Sequence, residues 1–285
     1  MNWTSLVDAR SLGEALGAPD LRIVDARFVL AGADADAGER AWRKAHLPGA
    51  GYVHLDRDLS DLGKPASEGR HPLPDATAFR AVLERLGISP SDQVVVYDAA
   101  DAAMAAARFW WLMKLLGHAR VAVLDGGFAA WQAQGLALTA DAPAPVRSVY
   151  PGQFDRRMIA GTGEVESALA QGAALLLDAR SPERFRGDVE PLDRAAGHVP
   201  GARNRPYAAN VADGRFRPAS ELRADFEALL GARTPGEVLL GCGSGVTACH
   251  NLLAMEHAGL RGARIYAPSW SGWVSDPSRP VATGD

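Results

Sequence analysis

Short runs of hydrophobic residues, most of them Val, Leu and Ile, alternate along the chain with longer segments of helical period. The runs are IVDA, VVVYD and VAVLD in the first half, and LLLDA, VLLGC and ARIYA in the second. Such runs are typical of parallel strands that are buried on both faces. The intervening segments 77–87 and 221–231 have helical period and end in the glycine expected just past a helix. The pattern predicts an α/β fold in which a parallel sheet is flanked by helices.

The two halves of the chain repeat each other. LRIVDAR at residues 21–27 returns as ALLLDAR at 174–180, and AHLPGA at 45–50 returns as GHVPGA at 197–202. The order of the hydrophobic runs is also the same in both halves. Self-similarity of this kind predicts two copies of one fold in tandem.

The boundaries of the two copies follow from composition. Residues 138–157 are rich in Ala and Pro and have little periodicity, which is typical of a linker. We therefore expect a first domain over residues 1–138, a linker over 139–157 and a second domain over 158–285.

Composition and charge narrow the class of protein. The 285 residues include 47% hydrophobic and 22% charged residues, which is ordinary for a globular chain. The net charge of −4 supplies no positive field for nucleic acid, so we expect no nucleic-acid partner. The start of the chain has no signal-peptide pattern, and no long apolar run suggests a membrane span. Together with a cysteine count of only two, this predicts a soluble cytoplasmic protein without disulfides.

The copies differ at the end of the third matched strand. The first half has Asp98 there, whereas the second has Cys242 followed by the turn 243–245, Gly-Ser-Gly, and a helix from 246 or 247 to 258. Glycines let successive backbone N–H groups point inward, and a helix N-terminus adds partial positive charge. We expect this turn to favour the thiolate form of Cys242 and to stabilise an anion attached to it.

Residues shared by both copies are better explained by the shared fold. The same applies to side chains inside predicted helices, where core packing is the ordinary role. We therefore predict structural roles for the repeated His46 and His198, for the Asp-Arg pairs Asp25 with Arg27 and Asp178 with Arg180, and for Trp110, Trp111 and Cys249.

Several thiolate chemistries do not fit the turn. A tyrosine phosphatase needs an arginine six residues after its cysteine to hold the phosphoryl oxygens, and position 248 is Ala. Two cysteines at this spacing make a poor zinc site, and a papain-like enzyme needs its cysteine on a helix. A thiolate that accepts and passes on a sulfur atom remains.

The repeated D-A-R and H-x-P-G-A motifs, GRHPLP at 69–74, RFRG at 184–187 and CGSGVTA at 242–248 resemble the two-domain rhodanese-type sulfurtransferases. The resemblance covers nearly the whole chain. It implies two tandem rhodanese-like domains, of which the first is catalytically silent and the second carries a persulfide on its cysteine.

The resemblance also implies a sulfur donor. Loops similar to Cys-Gly-Ser-Gly-Val-Thr are associated with 3-mercaptopyruvate, whereas thiosulfate enzymes carry Arg and Lys after the cysteine. Arg184 matches the family position that binds the donor carboxylate. The second arginine of the family is replaced here by Leu192, and Arg194 or Arg186 are the candidate substitutes.

Further site residues are implied in the same way. Ser244, His71 and Asp56 resemble a serine, a histidine and an acid that form a proton relay beside the cysteine. The backbone amides of the loop are expected to hold the persulfide, which adds to the substrate-binding set the residues Gly243, Gly245, Val246 and Thr247. Pro268, where relatives tend to have glycine, departs from the family pattern and should stiffen this loop.

These observations predict a sulfurtransferase that moves sulfur from 3-mercaptopyruvate through a Cys242 persulfide to cyanide, a small thiol or a protein thiol reductant. No metal or organic cofactor is implied. The alternatives are thiosulfate as the main donor, a non-enzymatic module that binds sulfur or docks a partner, and a redox sensor that pairs Cys242 with Cys249.

Overall fold

The computed structural model describes residues 1–29, 34, 36–102, 104–144 and 147–285, which form two compact units. The first unit comprises Met1–Ser60, Pro74–Asp155 and Asp213–Phe216, and the second comprises Asp61–Leu73, Arg156–Ala212 and Arg217–Asp285. Contacts thus assign 61–73 to the second unit, although these residues belong to the first half of the sequence. Within the predicted linker 139–157, residues 145 and 146 lie outside the described residues.

The hydrophobic runs form strands. In chain order the described strands are β1 (Leu6–Val7), β2 (Leu21–Asp25), β3 (Ala50–Tyr52), β4 (Gln93–Tyr97), β5 (Val121–Leu124), β6 (Ile159–Ala160), β7 (Leu175–Asp178), β8 (Arg203–Asn204), β9 (Val211–Ala212), β10 (Arg215–Phe216), β11 (Val238–Gly241) and β12 (Arg264–Tyr266). In each unit one of the central strands, β4 or β11, is buried along its whole length.

Helices follow most of these strands. They are α1 (Ala9–Glu14), α2 (Ala37–Lys44), α3 (Leu55–Asp58), α4 (Ala76–Arg85), α5 (Ala105–Leu115), α6 (Gly127–Ala133), α7 (Thr162–Ala170), α8 (Pro182–Arg186), α9 (Ala219–Leu230), α10 (Ala248–His257) and α11 (Ser269–Trp273), with 3₁₀ turns at Ala66–Glu68, Arg156–Met158, Tyr207–Asn210 and Pro235–Glu237. Among the helices of the described residues, none combines the length and apolar character that crossing a bilayer requires.

The two units contain parallel sheets with the same strand order. The described strands of the first sheet run β1-β5-β4-β2-β3, and those of the second run β6-β12-β11-β7-β8. In the second sheet Gly241 pairs with Asp178, so the loop after β11 leaves the sheet beside the end of β7. This edge is where α/β folds bind ligands. The predicted α/β fold with parallel sheets is confirmed.

The predicted helices are present with shifted ends. The helix predicted at 77–87 is Ala76–Arg85, and Gly87 follows it with φ +67°. The helix predicted at 221–231 begins two residues earlier, directly after Pro218. The helix predicted from 246 or 247 begins at Ala248 instead, because the preceding residues complete the turn after Cys242.

The shared residues have the structural contacts predicted for them. Arg27 and Arg180 pair with the carboxylates of Asp25 and Asp178, at 2.6 and 2.7 Å. Both repeated histidines are buried, and their Nδ1 atoms bond to the carbonyl oxygens of Trp42 and Phe185, at 2.7 and 2.8 Å. Also buried, as predicted, are the side chains of Trp110, Trp111 and Cys249.

Candidate active site

Cys242 follows strand β11 directly and has a buried thiol, with only 3% of the residue exposed. Its Sγ accepts a hydrogen bond from the backbone N–H of Gly245 at 3.1 Å. The turn therefore closes on the sulfur, with the N-terminus of α10 just beyond it. A backbone N–H aimed at the sulfur stabilises negative charge on that atom.

Helix α11 holds the backbone of this loop in place. Trp270 N–H donates to the carbonyl of Cys242 and Ser271 N–H to that of Gly243, both at 2.9 Å. The buried Ser269 Oγ accepts from Cys242 N–H at 3.1 Å and donates to the carbonyl of Tyr266 at 2.9 Å. Ser269 has φ +53°, a costly conformation for serine that these two bonds offset. The sulfur is thus presented by a rigid frame.

The backbone conformation and the close packing at position 245 require glycine. Its φ is +75°, and a Cβ there would lie 2.4 Å from the carbonyl oxygen of Ala267. Gly243 has no such backbone constraint; a Cβ on it would point instead toward arginine side chains. Of the other loop residues, Val246 is buried and Thr247, with φ −70° and ψ −14°, is the residue before α10.

Ser244 and His71 are in direct contact within the second unit. Ser244 Oγ and His71 Nδ1 lie 2.7 Å apart, and each residue is 5% exposed. His71 belongs to the segment 61–73, which packs against α11 in this unit. The structure therefore brings together two of the residues that the resemblance placed in a relay.

Asp56 lies in the first unit, as the second residue of α3. Its backbone N–H donates to Nδ1 of His54 at 3.1 Å. Its part in a relay with His71 stays a prediction.

Two arginine side chains converge on Gly243. A Cβ on Gly243 would lie 3.2 Å from Nη2 of Arg70, and 3.5 and 3.6 Å from the Nη atoms of Arg184. Arg184 pairs with Glu190 at 2.6 Å and with Asp193 at 3.3 Å, and Arg70 pairs with Asp193 as well. The family resemblance predicts Arg184 at the donor carboxylate, and this role stays a prediction; no sequence motif predicts Arg70 there. The available signal was a positive charge next to His71 in the GRHPLP segment.

The other candidate arginines have different partners. Arg194 Nε donates to the carbonyl of Val274 at the end of α11. Arg186 pairs with Asp188 at 2.7 Å and is partly exposed. Leu192, at the position of the family's second arginine, is an exposed residue whose N–H donates to Glu190 at 3.0 Å.

Charges in this cluster influence one another. Burial works against ionisation of Glu190, yet its hydrogen bonds with Arg184 and with the amides of Leu192 and Asp193 hold its pKa below the usual range. Burial raises the pKa of Asp193, because the positive charge of Arg70 offsets only part of the lost hydration.

Arg180 connects this cluster to the cysteine. Burial disfavours its charged form, but the interactions with Asp178 above all, and then with Glu190 and Cys242, raise the pKa of the guanidinium. Arg180 therefore stays positively charged within electrostatic range of the sulfur.

The first unit has a carboxylate in the corresponding loop. Phe128 and Ala129 donate to the carbonyls of Asp98 and Ala99, at 2.9 and 3.0 Å, as Trp270 and Ser271 do after β11. The Asp98 side chain accepts from the N–H of Ala102 at 3.0 Å. Burial, reinforced by the charge of Asp101, raises the pKa of Asp98 to about 7. Residue 103, in the same loop, lies outside the described residues.

Comparison with known protein families gives one match in each half of the chain. The Rhodanese-like domain family matches residues 8–134 and 162–276, one match in each half. Two such parallel-sheet repeats, with a cysteine loop after the central strand of the second, define a tandem α/β protein of rhodanese-like domains. The chain belongs to the rhodanese-like domain family.

Relatives named as sulfurtransferases cover all or nearly all of the chain. A "Probable 3-mercaptopyruvate sulfurtransferase" of Pseudomonas aeruginosa is 45% identical over 287 residues and covers 100% of both chains. A "Putative thiosulfate sulfurtransferase SseB" of Mycobacterium tuberculosis is 39% identical and covers 98% of this chain and 97% of its own. The crystal structure of the 3-mercaptopyruvate sulfotransferase SseA from Escherichia coli is 29% identical, with a TM-score of 0.81, covering 94% of this chain and 99% of its own. The predicted family and enzyme class are confirmed.

Proposed function

We propose that this sulfurtransferase takes sulfur from 3-mercaptopyruvate onto Cys242 and passes it to a nucleophilic acceptor. One observation carries the proposal. The Cys242 sulfur accepts a hydrogen bond from the Gly245 amide, and the residue after the cysteine, Gly243, faces two arginines. A thiolate, an anion cradle and two cations beside the next residue match a donor that carries both a thiol and a carboxylate.

The first half-reaction begins with the Cys242 thiolate attacking the sulfur of mercaptopyruvate. An S–S bond forms, and the carbon–sulfur bond of the donor breaks with its electron pair going to carbon. The organic product is the enolate of pyruvate, and the enzyme product is a Cys242 persulfide. Transfer of the persulfide proton to the enolate carbon gives pyruvate and a persulfide anion, so atoms and charges balance.

The contact between Ser244 and His71 supports a proton-transfer role in this step. A hydroxyl 2.7 Å from an imidazole nitrogen exchanges a proton with it readily. Ser244 is two residues from the cysteine, and in this proposal its hydroxyl exchanges a proton with the keto oxygen or the thiol of the donor.

In the second half-reaction an acceptor attacks the outer sulfur of the persulfide. Cyanide then leaves as thiocyanate, and a small thiol or a protein thiol leaves as its own persulfide, with the Cys242 thiolate regenerated. The backbone amides of residues 243–247 hold the anionic intermediate between the two steps. Residence in the cytoplasm, predicted from the sequence, belongs to the same proposal.

Thiosulfate is the second candidate donor. It is favoured by the two guanidinium groups beside Gly243, because a compact dianion gains from two nearby cations. The name of the mycobacterial relative agrees with this choice.

Steady-state transfer of sulfur to cyanide, with the two donors side by side, tests the proposal. We expect a higher kcat/KM with mercaptopyruvate than with thiosulfate, and loss of both activities in Cys242→Ser. A higher kcat/KM with thiosulfate would replace the donor and keep the persulfide. Absence of turnover with either donor would contradict the proposal and favour a sulfur-binding or docking module.

A further inference from the structure

Arg70 has the position and the bonding of a ligand-binding side chain. Apart from Gly243 and its two chain neighbours, Nη2 of Arg70 is the nearest described atom to a Cβ placed on Gly243, at 3.2 Å, and Arg184 borders the same space at 3.5 Å. Two guanidinium groups that meet at one point offer several parallel N–H donors, the arrangement that binds a carboxylate most strongly.

The backbone of Arg70 is fixed relative to the cysteine loop. Ser271 joins the two: its N–H donates to the carbonyl of Gly243, and its Oγ accepts from the N–H of Arg70, both at 2.9 Å. The preceding Gly69 lies so close to α11 that a Cβ on it would be 2.5 Å from the carbonyl oxygen of Pro268. Arg70 is therefore held in place before a ligand arrives, which lowers the entropic cost of binding.

The guanidinium of Arg70 retains unused donor capacity. Its Nη1 is paired with Asp193, a carboxylate shared with Arg184. Its Nε is buried and has no acceptor among the described residues. An N–H group left in this state favours binding of an acceptor from outside the protein.

From this geometry we infer that Arg70 is the second carboxylate-binding arginine of the donor site and acts with Arg184 to select donors that carry a carboxylate. The inference rests on the proposed function. Arg70 lies in a segment that is far from Cys242 in the sequence. It would bind the donor carboxylate in place of the arginine that is replaced here by Leu192. Arg194 and Arg186, which bond to Val274 and Asp188, are not needed for it.

The test pairs a change in the protein with a change in the donor. Mercaptoacetone keeps the thiol and the ketone of mercaptopyruvate but has a methyl group in place of the carboxylate. Arg70→Met is expected to lower kcat/KM for mercaptopyruvate by about 10- to 100-fold, the effect of losing one charge-assisted hydrogen-bonding partner, mainly through KM. With mercaptoacetone the same variant is expected to change kcat/KM by less than about 3-fold, since that donor offers Arg70 no charged partner.

Two further variants separate binding from structure. Arg70→Lys keeps the charge and loses the forked geometry, so its loss with mercaptopyruvate should be intermediate. This variant carries the test if Arg70→Met fails to fold. Arg223→Met, which removes an exposed arginine paired with Glu227 on α9, is the matched control and should leave both donors unaffected.

Equal losses with both donors would overturn the inference and make Arg70 a structural partner of Asp193. Unchanged kinetics with mercaptopyruvate would overturn it as well. A wild-type protein that takes no sulfur from mercaptopyruvate but does so from thiosulfate would instead overturn the proposed donor, and this inference with it.

Discussion

Replacing Gly245 by alanine should destabilise the second unit and slow sulfur transfer at the same time. Two costs add in this variant. A non-glycine residue at φ +75° loses roughly 1–2 kcal/mol. The added Cβ would also lie 2.4 Å from the carbonyl oxygen of Ala267, and overpacking in a buried region costs about 1–3 kcal/mol. The expected loss in the free energy of unfolding is about 2–5 kcal/mol.

Activity should fall because the same residue supplies the N–H that bonds to the Cys242 sulfur at 3.1 Å. Moving Gly245 away from Ala267 moves this donor. Loss of one positioned backbone donor to a reacting anion typically costs 100-fold or more, and a partial displacement should cost about 10- to 100-fold in the rate of persulfide formation.

Gly172→Ala is the matched control. Gly172 also has positive φ, +65°, but a Cβ on it would meet no atom of the described residues within 4 Å. This variant should lose only the conformational part, roughly 1–2 kcal/mol, and keep full activity. Urea unfolding followed by circular dichroism measures stability, and stopped-flow mixing with mercaptopyruvate measures transfer. If Gly245→Ala lost no more stability than Gly172→Ala and kept its activity, the described packing of the loop would be refuted.

Three other changes probe separate parts of the account. Ser244→Ala should lower kcat by about 100-fold, as expected for loss of a proton-transfer group, whereas Ser244→Thr should keep much of the activity; equal losses in steady-state assays would argue against the hydroxyl. Gly243→Ala should raise the KM for mercaptopyruvate with little loss of stability, since its Cβ meets only the ends of two flexible side chains; an unchanged KM would place the donor elsewhere. Because burial raises the pKa of Asp98 from 3.8 to about 7, its contribution to stability should be fully present below pH 4 and be lost as the pH rises through 7, a decline on the order of 4 kcal/mol. Asp98→Asn should flatten this decline in urea unfolding between pH 5 and 8, and an unchanged decline would assign it to another group.

Much of the fold could be predicted because its strands are continuous hydrophobic runs, as in VVVY and VLLG, and because the same order occurs twice. Cys242 is predicted as the reactive residue because the matching strand in the other copy is followed by Asp98. Both inferences use only local pattern and comparison of the halves.

Contacts between distant segments were harder to predict. Nothing in the local pattern shows that residues 61–73 join the second unit, since this depends on close approaches such as Gly69 to Pro268. The resemblance pointed to His71, but Arg70 became visible only through its distance from Gly243. The later start of α10 has a similar origin, because the turn around the cysteine sulfur needs Val246 and Thr247.

The intact mass of the protein after exposure to the donor alone tests the central claim most directly. Mercaptopyruvate without an acceptor should add about 32 Da, one sulfur atom, to the wild-type protein and to Cys249→Ser, whose hydroxyl can still donate to the carbonyl of Gly245. Cys242→Ser should gain nothing. A gain that persists in Cys242→Ser, or its absence from the wild-type protein with both mercaptopyruvate and thiosulfate, would contradict a persulfide on Cys242.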